Sequence, residues 1–151
     1  MIRNEAEYKE AVSRLAAEEA RLHEHRSRLK ETGLSDAEIK RLIDPMQSFH
    51  MQLSEEVESY ERLRRREFEE LENFRGVGRL LVELRIAQGI SQRELAKRLG
   101  VHESQVSRDE RNEYFGVTLE RASKIIDALG LKVKTKVDVE TIDTHHEMEM
   151  A

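Results

Sequence analysis

Along the N-terminal segment, Tyr8, Val12, Leu15, Glu19, Leu22, Arg26 and Leu29 follow one another at alternating steps of four and three, with Glu19 and Arg26 interrupting the apolar run. That 3.5-residue interval predicts a helix from about Asn4 to Glu31. Asn4 serves as its N-cap, and Thr32-Gly33 ends it with a residue that tolerates positive φ. A short helix is expected from "SDAEIKRLI", where Ser35 and Glu38 have capping-box spacing. Asp44-Pro45 then reads as a cap followed by a proline in the first helical position, restarting the chain. From there Met46, Phe49, Leu53, Val57, Tyr60, Leu63, Phe68, Leu71 and Phe74 form one stripe near the 3.6 period that lasts until Gly76. Residues 1–75 therefore read as an antiparallel helical hairpin. Its remaining apolar edge wants cover from the same hairpin of a second chain or from the downstream domain, which makes it a dimerisation or partner-binding element.

After Gly76 the elements shorten. "VGRLLVELRIAQ" is amphipathic and stops at Gly89. Ser91 and Glu94 form a capping box that opens "QRELAKRL", which Gly100 closes. A third helix, about His102 to Arg111, follows after a minimal turn. Two helices of this size joined by a short Gly turn make the helix-turn-helix pattern. "NEYFGV" reads as a loop, Thr118 caps "LERASKIIDAL", and Gly130 ends it. "LKVKTKVDVE" alternates apolar and charged, with Leu131, Val133, Val137 and Val139 on one face, and predicts a short C-terminal strand. An edge strand cannot hide its own backbone groups, so it is expected to pair with a symmetry mate or another protein. The tail, residues 140–151, has no periodicity and reads as a disordered acidic extension.

Composition narrows the function. Charged residues make up 38% of the chain and aromatic ones 5%, which favours long solvated helices over one large core. The absence of cysteine excludes disulfides and thiol chemistry, and a reducing cytoplasm is the expected compartment. No run approaches the roughly 18 apolar residues of a membrane span. The net charge of −5 hides an uneven distribution. Residues 1–75 carry 14 Lys and Arg against 18 Asp and Glu, residues 76–136 carry 12 against 8, and residues 137–151 carry none against 5. Only the basic middle is an electrostatic candidate for nucleic acid.

The window from Ser91 to Arg111 resembles the lambda Cro/C1-type helix-turn-helix regulators, the XRE family, and the likeness extends from about Gly76 to Gly130. It rests on Gln92 opening the second helix, Ala96 at the helix crossing, Gly100 in the turn, Val106 as core anchor, and Arg85 with Glu110. Patterning and resemblance together predict a mainly α fold: the N-terminal antiparallel helical hairpin and the short terminal strand come from the patterning, and the resemblance implies that the domain of residues 76–139 is a lambda-repressor-like helix-turn-helix. It also implies an internal ion pair between Arg85 and Glu110. Gln92 and Arg93 would bond phosphate and position the module. His102, Glu103, Ser104, Gln105, Ser107 and Arg108 would face the major groove, with Arg111 nearer the backbone. Arg108 suits a bidentate bond to guanine. Glu103 either accepts from a cytosine amino group or serves as a first-turn carboxylate facing the helix dipole. Asp109 departs from the family's apolar preference, so that edge is either wetter or paired with a cation. The family's fifth helix is also missing.

No nucleophile-base set or carboxylate pair stands apart from ordinary helix-surface charge, so no enzyme and no cofactor is expected. His145, His146 and Glu147 lack the geometry of a closed metal site. The leading expectation is a dimeric, cytoplasmic, nucleoid-associated transcription regulator, a repressor, bound to double-stranded DNA. Two alternatives compete with it. The helical extension gives the chain the look of antitoxins of the HigA kind, which hold a basic toxin and repress their own operon. The helix-turn-helix fold also serves as a protein-binding adaptor in some coactivators.

Overall fold

The computed structural model describes residues 1–139, which form six helices: α1 (Glu5–Glu31), α2 (Asp36–Arg64), α3 (Val77–Ala87), α4 (Gln92–Leu99), α5 (Glu103–Arg111) and α6 (Leu119–Ala128). The acidic tail of residues 140–151, with His145, His146 and Glu147, lies outside the described residues.

Asn4 and Ser35 cap α1 and α2, accepting the backbone N–H of Glu7 and Glu38 respectively. The two helices run antiparallel, in a register fixed near their open end. Tyr8 stacks on Tyr60 at 5.0 Å between centroids, and its hydroxyl donates to Glu61 at 2.7 Å. The α1 seam differs from the sequence expectation by one position at every second step. Tyr8, Leu15, Leu22 and Leu29 do turn toward α2, but Ala11, Glu18 and His25 lie between them, while Val12, Glu19 and Arg26 are exposed. Both sets keep a seven-residue repeat. The polar residues assumed to interrupt the seam therefore stand beside it.

Two boundaries in α2 also differ. The helix runs unbroken through Pro45, without a restart at Asp44. Proline removes the hydrogen bond to the carbonyl four residues back and costs about 3 kcal/mol in a helix interior. Here Ile39 and Ile43 before it, and Val57, Tyr60 and Leu63 after it, are buried, and that packing holds one axis. Pro45 and Arg41 are exposed, so solvent can reach the carbonyl left without a donor. At the other end the helix stops at Arg64, although the apolar stripe continues to Phe74. α1 starts at Glu5, level with the end of α2, so the next turn would have no helix to lie against. Arg66 takes a left-handed φ of 58°, and Glu67 N–H returns to the Arg62 carbonyl at 3.0 Å, closing α2 with a Schellman-type turn. Phe68 and Phe74 are left exposed.

Helices α3 to α6 surround Leu81, Leu95, Val106, Ile125 and Leu129, each essentially inaccessible to solvent and each worth about 1.5–3 kcal/mol of burial. This core is continuous with the hairpin through Ile2, Val57, Tyr60 and Leu63. The expected strand after α6 is absent: no strand occurs among the described residues. Leu131 packs on the core, while Val133, Val137 and Val139 are exposed. Alternation gives a segment two faces, but a strand exists only through a ladder with a neighbour. No ladder to a second segment forms among the described residues. The fold is α throughout the described residues.

Candidate nucleic-acid interface

The candidate surface is built on α5. Ser91 caps α4 by accepting Glu94 N–H at 3.0 Å. Gly100, at φ 69°, reverses the chain, and Val101 N–H returns to the Ala96 carbonyl at 3.0 Å. Ala96 is buried where the two helices meet, and its single methyl group permits their close crossing. His102 then caps α5: its ring Nδ1 accepts Ser104 N–H at 3.2 Å and lies 2.8 Å from the Ser104 hydroxyl.

Three polar contacts fix the orientation of α5. Glu110 faces inward, and both its oxygens accept from Arg85, whose Nη2 lies at 2.8 Å and whose Nε binds the other oxygen. Only 5% of the Arg85 side chain and 4% of that of Glu110 are exposed. Arg85 Nη1 also donates to the Ile90 carbonyl at 2.8 Å, just ahead of α4, and Gln92 Nε2 donates to Glu110 at 2.7 Å. One carboxylate thereby ties α3, α4 and α5 together, with its charge answered by bidentate geometry. On the other flank Asp109 accepts from Arg121 of α6 at 2.5 Å, so the edge where an apolar residue is usual holds an ion pair.

With Val106 and Glu110 facing inward, helical periodicity places Ser104, Arg108 and Arg111 on the opposite side. These three are exposed, as are Glu103 and Gln105 along the edges and His102 at the cap, while Ser107 is half-buried. The face presents hydroxyl, amide, imidazole and guanidinium groups, which is the inventory needed to reach phosphates and base edges. Arg93 is exposed on the first turn of α4. Gln92 is half-buried with its amide nitrogen committed to Glu110, so its first task is to support the tether.

The loop expected at "NEYFGV" after α5 has a defined backbone shape. Glu113 and Tyr114 both take left-handed φ, at 49° and 51°, and Tyr114 N–H reaches the Asp109 carbonyl at 2.7 Å. Tyr114 is buried, and its hydroxyl pKa is pushed up to about 12, first by desolvation and then by the charges of Glu110 and Asp109. Gly78 of α3 passes so close that a Cβ there would stand 2.0 Å from the Glu113 carbonyl oxygen. This turn leaves Phe115 96% exposed. A lone aromatic in a loop stretch gave no periodic signal by which to find it.

Among the described residues, no group of acidic or histidine side chains could hold a metal ion, and no helix is long and apolar enough to cross a membrane. Residues 81–135 match the helix-turn-helix family model HTH_3. No curated protein and no solved structure matches the chain. The match spans α3 from Leu81 through α6, and it supports a DNA-binding regulator of the XRE type, a regulatory rather than an enzymatic family.

Proposed function

We propose that the chain is a sequence-specific transcription regulator, a repressor acting as a dimer, that reads the major groove of double-stranded DNA with α5. The observation that carries this reading is the division of α5 into two sides. Val106 and Glu110 lock it to α3 and α4, and Ser104, Arg108 and Arg111 are exposed on the opposite side. In this reading Arg108 bonds a guanine, Gln105, Ser104, Ser107, Glu103 and His102 contact neighbouring bases or phosphates, and Arg93, Gln92 and Arg111 engage the backbone. A gel-shift series at moderate salt tests it. Duplexes from the DNA around the chain's own gene should bind at least about a thousandfold more tightly than random duplex. Equal affinity would end the proposal, and retention of full activity by a Gln92→Ala, Arg108→Ala variant would favour an adaptor role.

Exposed apolar side chains on the hairpin favour a second reading. Phe49 and Leu42 are 59% and 53% exposed on α2, and Arg14 lies over the Phe49 ring at 5.8 Å. In that reading residues 1–75 hold a partner protein, as an antitoxin holds a toxin. Native co-purification of a partner whose binding is lost in a Leu42→Ser, Phe49→Ser variant would support it.

A further inference from the structure

Leu131 packs on the core, and its N–H bonds the Ile126 carbonyl at 3.2 Å. From Lys132 to Val139 every residue is exposed, in neither helix nor turn. The root of this segment is fixed on two sides. Arg98, near the end of α4, donates to the Ala128 carbonyl at 3.0 Å, and Gln88 donates to the Leu129 carbonyl at 3.0 Å. Arg98 stands two residues before Gly100, the turn that leads into α5. The segment therefore leaves the domain near the N-terminal end of the candidate reading helix.

Lys132, Lys134 and Lys136 alternate with Val133 and Thr135, so a drawn-out backbone carries all three ammonium groups on one side. Elsewhere in the domain Arg79, Arg85, Arg98, Arg121 and Lys124 each hold a carboxylate, whereas these three lysines pair with none among the described residues. The excess of 12 Lys and Arg over 8 Asp and Glu in residues 76–136 depends on them: without the three, the balance is nine against 8 and the domain is nearly neutral. A module that binds DNA draws much of its affinity from cations that displace counterions from phosphates. Only with this segment does the domain have the charge for that.

We propose that Lys132, Lys134 and Lys136 form a basic arm that lies along DNA phosphates beside the stretch faced by α5. The arm adds a sequence-independent contact to the module and presupposes the reading of α5 proposed above. Drawn out, the three lysines span about 13 Å, a length of duplex that carries about eight phosphates. The arm ends where its charge reverses: Asp138 follows on the side of the lysines, and phosphate repels its carboxylate. Val133 and Val137 on the other side face water, as single apolar side chains commonly do. An acidic protein surface offers similar chemistry, and the root of the arm near α5 favours DNA.

The test measures binding of the full chain by fluorescence anisotropy between about 50 and 200 mM salt. Two probes are used, a random-sequence duplex and a duplex that wild type selects from a random pool. Combined Lys132→Gln, Lys134→Gln and Lys136→Gln should lower the slope of log affinity against log salt by about 2.7 on both, so that the variant loses about 40-fold less affinity over this range. Preference for the selected duplex should not change. Arg at the same three positions keeps the charge and should keep the slope. A control that removes equal charge from exposed sites on the hairpin, Lys9→Gln, Lys30→Gln and Lys40→Gln, should move the slope by less than about 1. A wild-type slope in the arm variant would mean that the lysines touch no phosphate, and an equal fall in the hairpin control would mean that net charge alone acts; either overturns the arm. So does a loss confined to the selected duplex, which would place the lysines on bases. If wild type prefers no sequence, the reading of α5 fails by itself, and the random duplex still decides the arm. Wild type that binds neither duplex refutes both.

Discussion

Replacing Glu110 by Ala should unfold much of what holds α5 in place, because it leaves the Arg85 guanidinium inside the protein with one hydrogen bond, to the Ile90 carbonyl at 2.8 Å. Removing one partner of a buried pair costs about 3–5 kcal/mol, chiefly through the uncompensated charge. Gln92 also loses its acceptor, but it is half-buried and can turn to water, so it adds at most about 1 kcal/mol. A loss near 4 kcal/mol is a large share of the roughly 5–15 kcal/mol typical of a domain, and lowers Tm by about 8–16 °C for a chain of this size. The comparison that isolates the cause is Arg85→Met with Glu110→Leu. Exchanging both charges for apolar side chains of similar volume removes the desolvation penalty along with the attraction, and should bring stability back to within about 1 kcal/mol of wild type. Urea titration followed by circular dichroism measures both. A loss of less than about 1 kcal/mol in Glu110→Ala, or a double variant as unstable as the single one, would show that the penalty is not a stranded charge.

Gly78→Ala would ordinarily favour a helix, yet a Cβ here would meet backbone at 2.0 Å; the urea midpoint should fall, by about 1–3 kcal/mol of stability, where a stabilised variant would show that the 113–114 turn yields. The Tyr114 hydroxyl has a folded pKa of about 12 against 10.0 for the ordinary phenol, so its stabilising contribution is complete below pH 10 and is lost as pH rises toward 12. The full gap is worth about 2–3 kcal/mol; Tyr8 and Tyr60, also shifted upward, add to the wild-type alkaline loss, so Tyr114→Phe should shallow the fall between pH 10 and 12 without abolishing it, and an unchanged profile would count against burial as the cause. Arg108→Ala should cost roughly 1–3 kcal/mol of DNA affinity and relax preference at one base position; a uniform loss across sequences, with a smaller salt slope, would reassign it to phosphate.

The helix-turn-helix was legible because several local rules agree over a short span. Ser91 and Glu94 start a helix, Gly100 can stop it, and Ala96 and Val106 leave only one economical way to cross the two helices. The Arg85–Glu110 contact came from a family resemblance. Periodicity alone would have put two charged residues on the surface, and burying them is worthwhile only because their geometry is bidentate. The hairpin was legible as two helices but not in its ends, since Pro45 and the stripe beyond Leu63 report local preference, whereas the length of α2 is set by where α1 begins and ends. The same logic removed the terminal strand: alternation in Leu131–Val139 is a property of one segment, and a ladder belongs to two.

Phe115 is the converse case. Nothing in "NEYFGV" distinguishes a ring pointing inward from one pointing outward, and the choice is made by neighbours remote in sequence. Gly78 admits the Glu113 carbonyl against α3, Tyr114 takes the interior position, and the left-handed pair at 113 and 114 turns the next side chain to solvent. The exposure of Phe115 is thus written partly at position 78. Any Gly78 variant that shifts the turn should therefore alter the exposure of Phe115 as well as stability. If chymotryptic cleavage after Phe115 ran at the same rate in a folded Gly78→Ala variant as in wild type, position 78 would have no part in presenting the ring.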